Sequence, residues 1–100
     1  MSGNDDKVLL DLNSPGLQSE LFELDVSEVK KIFKTFKKLR GMTWNEVFRD
    51  HGLKWEEPKS TSGRFTIRLS QSSRAVVVRD GGFMRFQAFY QDHDGAYGKK

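Results

Sequence analysis

Apolar positions recur at helical spacing through the first half of this chain and alternate through the second half, with the change near Leu53. Residues 7–12 (KVLLDL) hold a short apolar run suited to a first strand. Ser14-Pro15 predicts a helix start, because Ser caps free amides and Pro is preorganised at the first helical position. Leu17, Leu21 and Leu24 share one face of that short helix. Asp25 and Glu28 resemble a capping box and open a longer helix whose apolar face is Val29, Ile32, Phe33, Phe36 and Leu39. Lys30, Lys31, Lys34, Lys37 and Lys38 are left facing water. Gly41 stands where a left-handed C-terminal residue is wanted. Thr43 and Glu46 form a second capping box, starting a short helix that Gly52 stops.

The period then becomes two. Leu53 and Trp55 alternate with Lys54 and Glu56, which predicts a strand ended by Pro58. Residues 59–63 (KSTSG) read as a flexible surface loop. Phe65, Ile67 and Leu69 lie on one face of the next strand, with Arg64, Thr66 and Arg68 on the other. A third strand over 74–79 carries Val76-Val77-Val78, a run suited to cover on both sides. Asp80-Gly81-Gly82 is a hairpin signal, and residues 83–90 form the last strand. The expected fold is α+β in one domain. An N-terminal strand and two or three helices pack on one face of a mostly antiparallel sheet of about four or five strands. Residues 1–6 and 98–100 are expected to be flexible ends. If the loop over 71–73 has three residues, Ser70 pairs with Arg74, and Arg74 joins Arg68 on the open face; a one-residue slip would reverse it.

One hundred residues suit a single domain, and the 36% hydrophobic content is too high for wholesale disorder. No apolar run approaches the ~20 residues that span a bilayer, and the acidic start lacks a signal peptide's basic region, so a cytoplasmic protein is expected. Without Cys there is no disulfide framework and no thiolate metal site. The net charge of +3 hides a division. Residues 1–29 hold seven acids and one base, while residues 30–100 hold sixteen bases and seven acids. Six of those bases fall within 30–40, where there is no acid. Such a basic body fits a polyanionic partner, although a lysine stripe is also the ordinary solvated face of a helix.

The densest group of reactive side chains is the tail, Asp92-His93-Asp94 with Tyr97 behind. Imidazole exchanges protons near neutral pH, a neighbouring carboxylate can orient it, and a phenol beside cations can serve as acid or base. Arg forks on an open sheet face would hold a phosphate. Together these are parts for metal-independent phosphodiester cleavage, set against the plainer reading of a polar surface tail. No Asp/Glu/His spacing points to a metal, no Ser sits in a strained elbow, and no helix follows Gly81-Gly82 to make a phosphate loop. Trp44 and Trp55 read as core anchors.

Residues 37–56 (KKLRGMTWNEVFRDHGLKWE) and 64–97 (RFTIRLSQSSRAVVVRDGGFMRFQAFYQDHDGAY) resemble the RelE/ParE toxin superfamily, in particular its RelE/HigB-like branch of cytotoxic translational repressors. The resemblance covers about residues 8–97. It implies the toxin of a type II toxin-antitoxin system, an endoribonuclease without cofactor or metal. Such a toxin cleaves mRNA on the ribosome and is held inactive by a cognate antitoxin, expected to be a helix-turn-helix protein. Residue by residue, Arg68 matches a phosphate-contacting base, Arg74 the Arg that steadies the scissile phosphate, Tyr97 the C-terminal Tyr, and His93 the basic position before it. Lys54, Arg64 and Arg85, with Lys34 and Lys38 of the stripe, are expected to bind RNA. Thr66 and Gln91 stand where many members carry further bases, which thins the cation set. The His93/Tyr97 pair argues against the gyrase-poisoning ParE branch. A non-catalytic nucleic-acid-binding or protein-interaction module on the same fold is the alternative.

Overall fold

The computed structural model describes residues 6–59 and 63–91, and the structural statements that follow concern those residues. Seven elements follow in order: β1 (Leu9–Asp11), α1 (Pro15–Phe22), α2 (Val26–Arg40), α3 (Trp44–Arg49), β2 (Phe65–Arg68), β3 (Ser73–Asp80) and β4 (Phe83–Gln91). The four strands form one sheet in the order β1-β4-β3-β2, with β1 parallel to β4 and the other pairs antiparallel. The expected α+β class and mostly antiparallel sheet are therefore found. Of the expected flexible ends, residues 1–5 and 98–100 lie outside the described residues, as do 92–97 and the loop positions 60–62.

Local chemistry accounts for most of the boundaries. Ser14 caps α1 by accepting from the Leu17 amide, and Pro15 occupies the first turn. The capping box at Thr43 and Glu46 is complete in both directions. The box expected at Asp25 is not made. Asp25 does flank α2, but its side chain caps nothing, and Glu28 turns instead to the β2–β3 loop. Gly41 caps α2 at φ −93°, so no left-handed residue is used there. α3 stops at Arg49, before Gly52 is reached.

The helices bury one face of the sheet. Ile32, Phe36 and Leu39 of α2 and Trp44 and Val47 of α3 close over Ile67, Ala75, Val77, Met84, Phe86 and Phe89. Phe36 meets Phe86 edge-on at 5.3 Å, and the Trp44 indole Nε1 donates to the Gly82 carbonyl at 3.0 Å. Phe33, expected in this core, is 49% exposed instead; α2 is wide enough to bury only one stripe. Val77 is fully buried, whereas Val76 and Val78 are half-buried on the open face, so β3 is covered on one side and not two. In β4, Val76 pairs with Ala88 and Val77 with Phe86, leaving Gln87 as an extra residue. This bulge moves the inward positions from Met84 and Phe86 to Phe89, and turns Ala88 and Tyr90 outward.

No strand forms over residues 53–56. Lys54 adopts φ +50°, a left-handed conformation that breaks an extended run. The segment nonetheless covers the outer edge of β2: the Arg68 amide donates to the Leu53 carbonyl, and Glu56 and Thr66 form a single antiparallel bridge. Trp55 stacks on Phe65 at 4.7 Å and anchors this segment to the core.

Candidate active site

Strand pairing builds the site directly. Arg68 lies opposite Arg74, and Arg74 opposite Tyr90, which makes one row across three strands. The neighbouring row on the same face is Glu56, Thr66, Val76 and Ala88. Since Ile67 and Ala75 point into the core, alternation sends Arg68 and Arg74 to the helix-free face. The expected pairing of Ser70 with Arg74 is replaced by Arg68 with Arg74. That is a shift of two, and an even shift keeps the face.

Arg74 is held tightly. It is only 8% exposed, its Nη2 donates to Thr66 Oγ1 at 2.9 Å, and Glu56 Oε1 stands 3.5 Å from the same nitrogen. The Arg68 Nε is buried with no hydrogen-bond partner. Two guanidinium groups on facing positions repel one another, and an unpaired buried donor is costly. Above Arg74 opens a groove of about 690 Å³ lined by Glu56, Glu57, Pro58, Lys59, Thr66, Arg74 and Tyr90; Arg68 is not part of its lining. It offers a cation for a phosphate, a carboxylate beside that cation, and an aromatic ring 42% exposed for a base to stack on.

The turn that joins these strands is fixed from α2. Ser70, Ser72 and Ser73 all donate to Glu28 Oε2, and Thr35 Oγ1 donates to the Leu69 carbonyl at 2.6 Å. Partial burial of Glu28 opposes its charge, but the three hydroxyls and Lys31 outweigh that and hold its carboxyl below the usual range.

The remaining expected residues are scattered. Arg64 is exposed just before β2. Arg85 shares the open face but lies toward its other end, 3.2 Å from both Asp11 and Asp80. Lys54 is exposed in a separate hollow with Arg49 and His51. Lys34 and Lys38 sit on α2, in the opposite layer, and Lys38 pairs with Asp50 at 2.9 Å. That lysine's hydrogen bond, against the pull of partial burial and with help from the Leu53 and Gly52 amides, keeps the Asp50 carboxyl low. His93 and Tyr97 lie outside the described residues. Among the described residues, no group of three or more His, Cys, Asp or Glu is placed to hold a metal ion.

Glu56 and Tyr90 were not foreseen. By sequence Glu56 is the polar side of an alternating run, and only its bridge to Thr66 aims it at Arg74. Tyr90 reaches the open face because of the Gln87 bulge, which simple alternation does not reveal.

No protein-family model matches the sequence, and no curated protein does. Among solved structures, the chain is similar to one described as the structure of YoeB dimer from Staphylococcus aureus. The TM-score is 0.53 with 18% identity, over 83% of this chain and 94% of that one. At that identity the likeness concerns architecture alone: with three helices over one face of a β1-β4-β3-β2 sheet, this chain shares the fold of that structure.

Proposed function

We propose that this protein is the toxin of a type II toxin-antitoxin system, a metal-independent endoribonuclease that cleaves mRNA on the ribosome and so blocks translation. The observation that carries this reading is the facing pair Arg68 and Arg74, with Arg74 buried against Thr66 at the floor of an open groove. A guanidinium fixed at the groove floor, with a second at the facing strand position, suits the dianionic charge that develops on a phosphorane. The 2′-hydroxyl attacks phosphorus, the bond to the 5′ oxygen breaks, and the products end in a 2′,3′-cyclic phosphate and a 5′-hydroxyl. His93 or Tyr97 takes the proton from the 2′-hydroxyl, and the other gives one to the leaving oxygen. β4 ends at Gln91, paired with Ser73 beside the Arg74 row, and His93 follows it by two residues, a chain reach of at most about 7 Å. Arg64, Lys54 and Arg85 extend phosphate contacts outward, and positioning by the ribosome supplies much of the rate. A cytoplasmic cognate antitoxin, of helix-turn-helix type, holds the toxin inactive.

One observation favours a second reading. Glu56 already neutralises Arg74, as expected of a binding module that has lost catalysis. The two readings separate when the protein is expressed and 5′ ends of cellular mRNA are mapped. New, codon-phased ends that vanish with Arg74→Ala, His93→Ala or Tyr97→Ala support the nuclease. RNA binding without new ends supports the module.

A further inference from the structure

The basic surface does not end at the groove. Beyond Glu56 lies a second hollow of about 240 Å³, walled by Phe48, Arg49, His51, Lys54, Trp55 and Glu56. Glu56 lines both depressions, so one side chain stands between them. Arg49, His51 and Lys54 are exposed, and none has an ion-pair partner among the described residues. The other acid of this hollow, Asp50, is already engaged. It pairs with Lys38 at 2.9 Å and accepts from the Leu53 amide at 3.1 Å.

Two further features set this hollow apart from an ordinary solvated surface. The Phe48 ring is 40% exposed although it packs on Trp44 and Trp55, with centroids 6.0 and 5.6 Å away. A ring held in place that still meets water is a platform on which a base can stack. Lys54 holds φ +50°, a conformation that is costly for a residue other than glycine and that clusters at ligand sites. Glycine would adopt this backbone freely; the chain carries an ammonium group there instead.

We infer that this hollow is a second nucleotide subsite, which takes the single-stranded RNA as it leaves the groove. Arg49, His51 and Lys54 hold a phosphate, and the base of that nucleotide lies against Phe48. The inference rests on reading the groove as an RNA site. Three donors without counterions suit a phosphate, and the neighbouring ring suits its base. Glu56, its charge drawn to Arg74 at 3.5 Å, keeps phosphates off the shared rim and favours one on each side of it. A carboxylate-rich peptide would satisfy the cations and leave the ring unused.

Fluorescence anisotropy of the full chain with 2′-O-methyl RNA, which lacks the attacking hydroxyl, tests this with strands of about three and about eight nucleotides. The parent should bind the longer strand at least about tenfold more tightly. Arg49→Gln with Lys54→Asn, where Asn also tolerates the left-handed backbone, should erase most of that gain. It should also lower the slope of affinity against salt by about 1.4, two phosphate contacts at about 0.7 each. Phe48→Leu should weaken the longer strand about fivefold with the slope unchanged. A parent without the gain in affinity with length overturns the subsite. So does a double variant that keeps the gain and the slope, or one that weakens both strands equally. Phe48→Leu binding as tightly as the parent, or an oligoglutamate of equal charge competing as well as the longer strand, overturns it too. The blocked RNA reports binding whether or not the chain cleaves, so the loss of this subsite leaves the nuclease reading standing, and absence of cleavage leaves this result standing.

Discussion

Replacing Glu28 by Ala removes one carboxylate oxygen that three hydroxyls share, and with it the side-chain clamp between the first turn of α2 and the β2–β3 turn. Ser73 is 1% exposed, so its hydroxyl is left buried without that acceptor. An orphaned buried donor costs about 1–3 kcal/mol, and a hydrogen bond to a charged group contributes about 1.5–3 kcal/mol. Ser70 and Ser72 are only half-buried and can turn to water, so their share is smaller. The sum expected for Glu28→Ala is about 3 kcal/mol, and roughly 1 kcal/mol for Glu28→Gln, which keeps a neutral acceptor. In a domain of this size, 3 kcal/mol lowers Tm by roughly 15 °C. Urea unfolding at pH 7 followed by circular dichroism measures the difference. Because the folded-state pKa of Glu28 lies below its ordinary value of 4.5, its stabilisation is complete above that value and is lost as pH falls through the folded value. The parent should therefore lose stability in acid faster than Glu28→Gln. A loss under about 1 kcal/mol for Glu28→Ala, or parallel acid profiles for parent and Gln variant, would refute the clamp.

Three further perturbations follow from the same geometry. Thr43→Ala removes the capping box of α3 and should cost about 1 kcal/mol in urea unfolding. Gly81→Val forces a β-branched residue to φ +60° in the two-residue β3–β4 turn and should lower Tm by several degrees, roughly 1–2 kcal/mol, while Gly82→Ala should be milder. Glu56→Gln frees the Arg74 guanidinium of its competing charge; binding of a short uncleavable RNA should tighten severalfold by fluorescence anisotropy, whereas Arg74→Lys, which loses the fork, should weaken it.

Where the fold was legible, the reason was redundancy. The Arg68 and Arg74 side chains share a face under any even slip of register, so an inexact loop length still placed them together. Ser14-Pro15 and Thr43-Glu46 each combine a capping side chain with a favourable first turn, and both helices start there. Legibility failed where one residue departs from the local pattern. The left-handed Lys54 turned an alternating run into an edge cover, and the Gln87 bulge changed which half of β4 faces the helices. Phe33 fits the apolar stripe by spacing, yet the sheet beneath reaches only as far as Ile32 and Phe36. Arg85 is a base on the right face but the wrong end, paired there with Asp11 of β1 on one side and Asp80 of β3 on the other. The proposed activity rests on resemblance; pairing of distant strands, which no local pattern encodes, brought Glu56 and Tyr90 to Arg74.

The most direct measurement is product analysis with purified protein and ribosomes carrying a defined mRNA, in a magnesium buffer that keeps the ribosomes intact. Fragments ending in a 2′,3′-cyclic phosphate and a 5′-hydroxyl are expected from the parent and are expected to disappear with Arg74→Ala. Intact mRNA under those conditions, or cleavage that Arg74→Ala leaves unchanged, would contradict it.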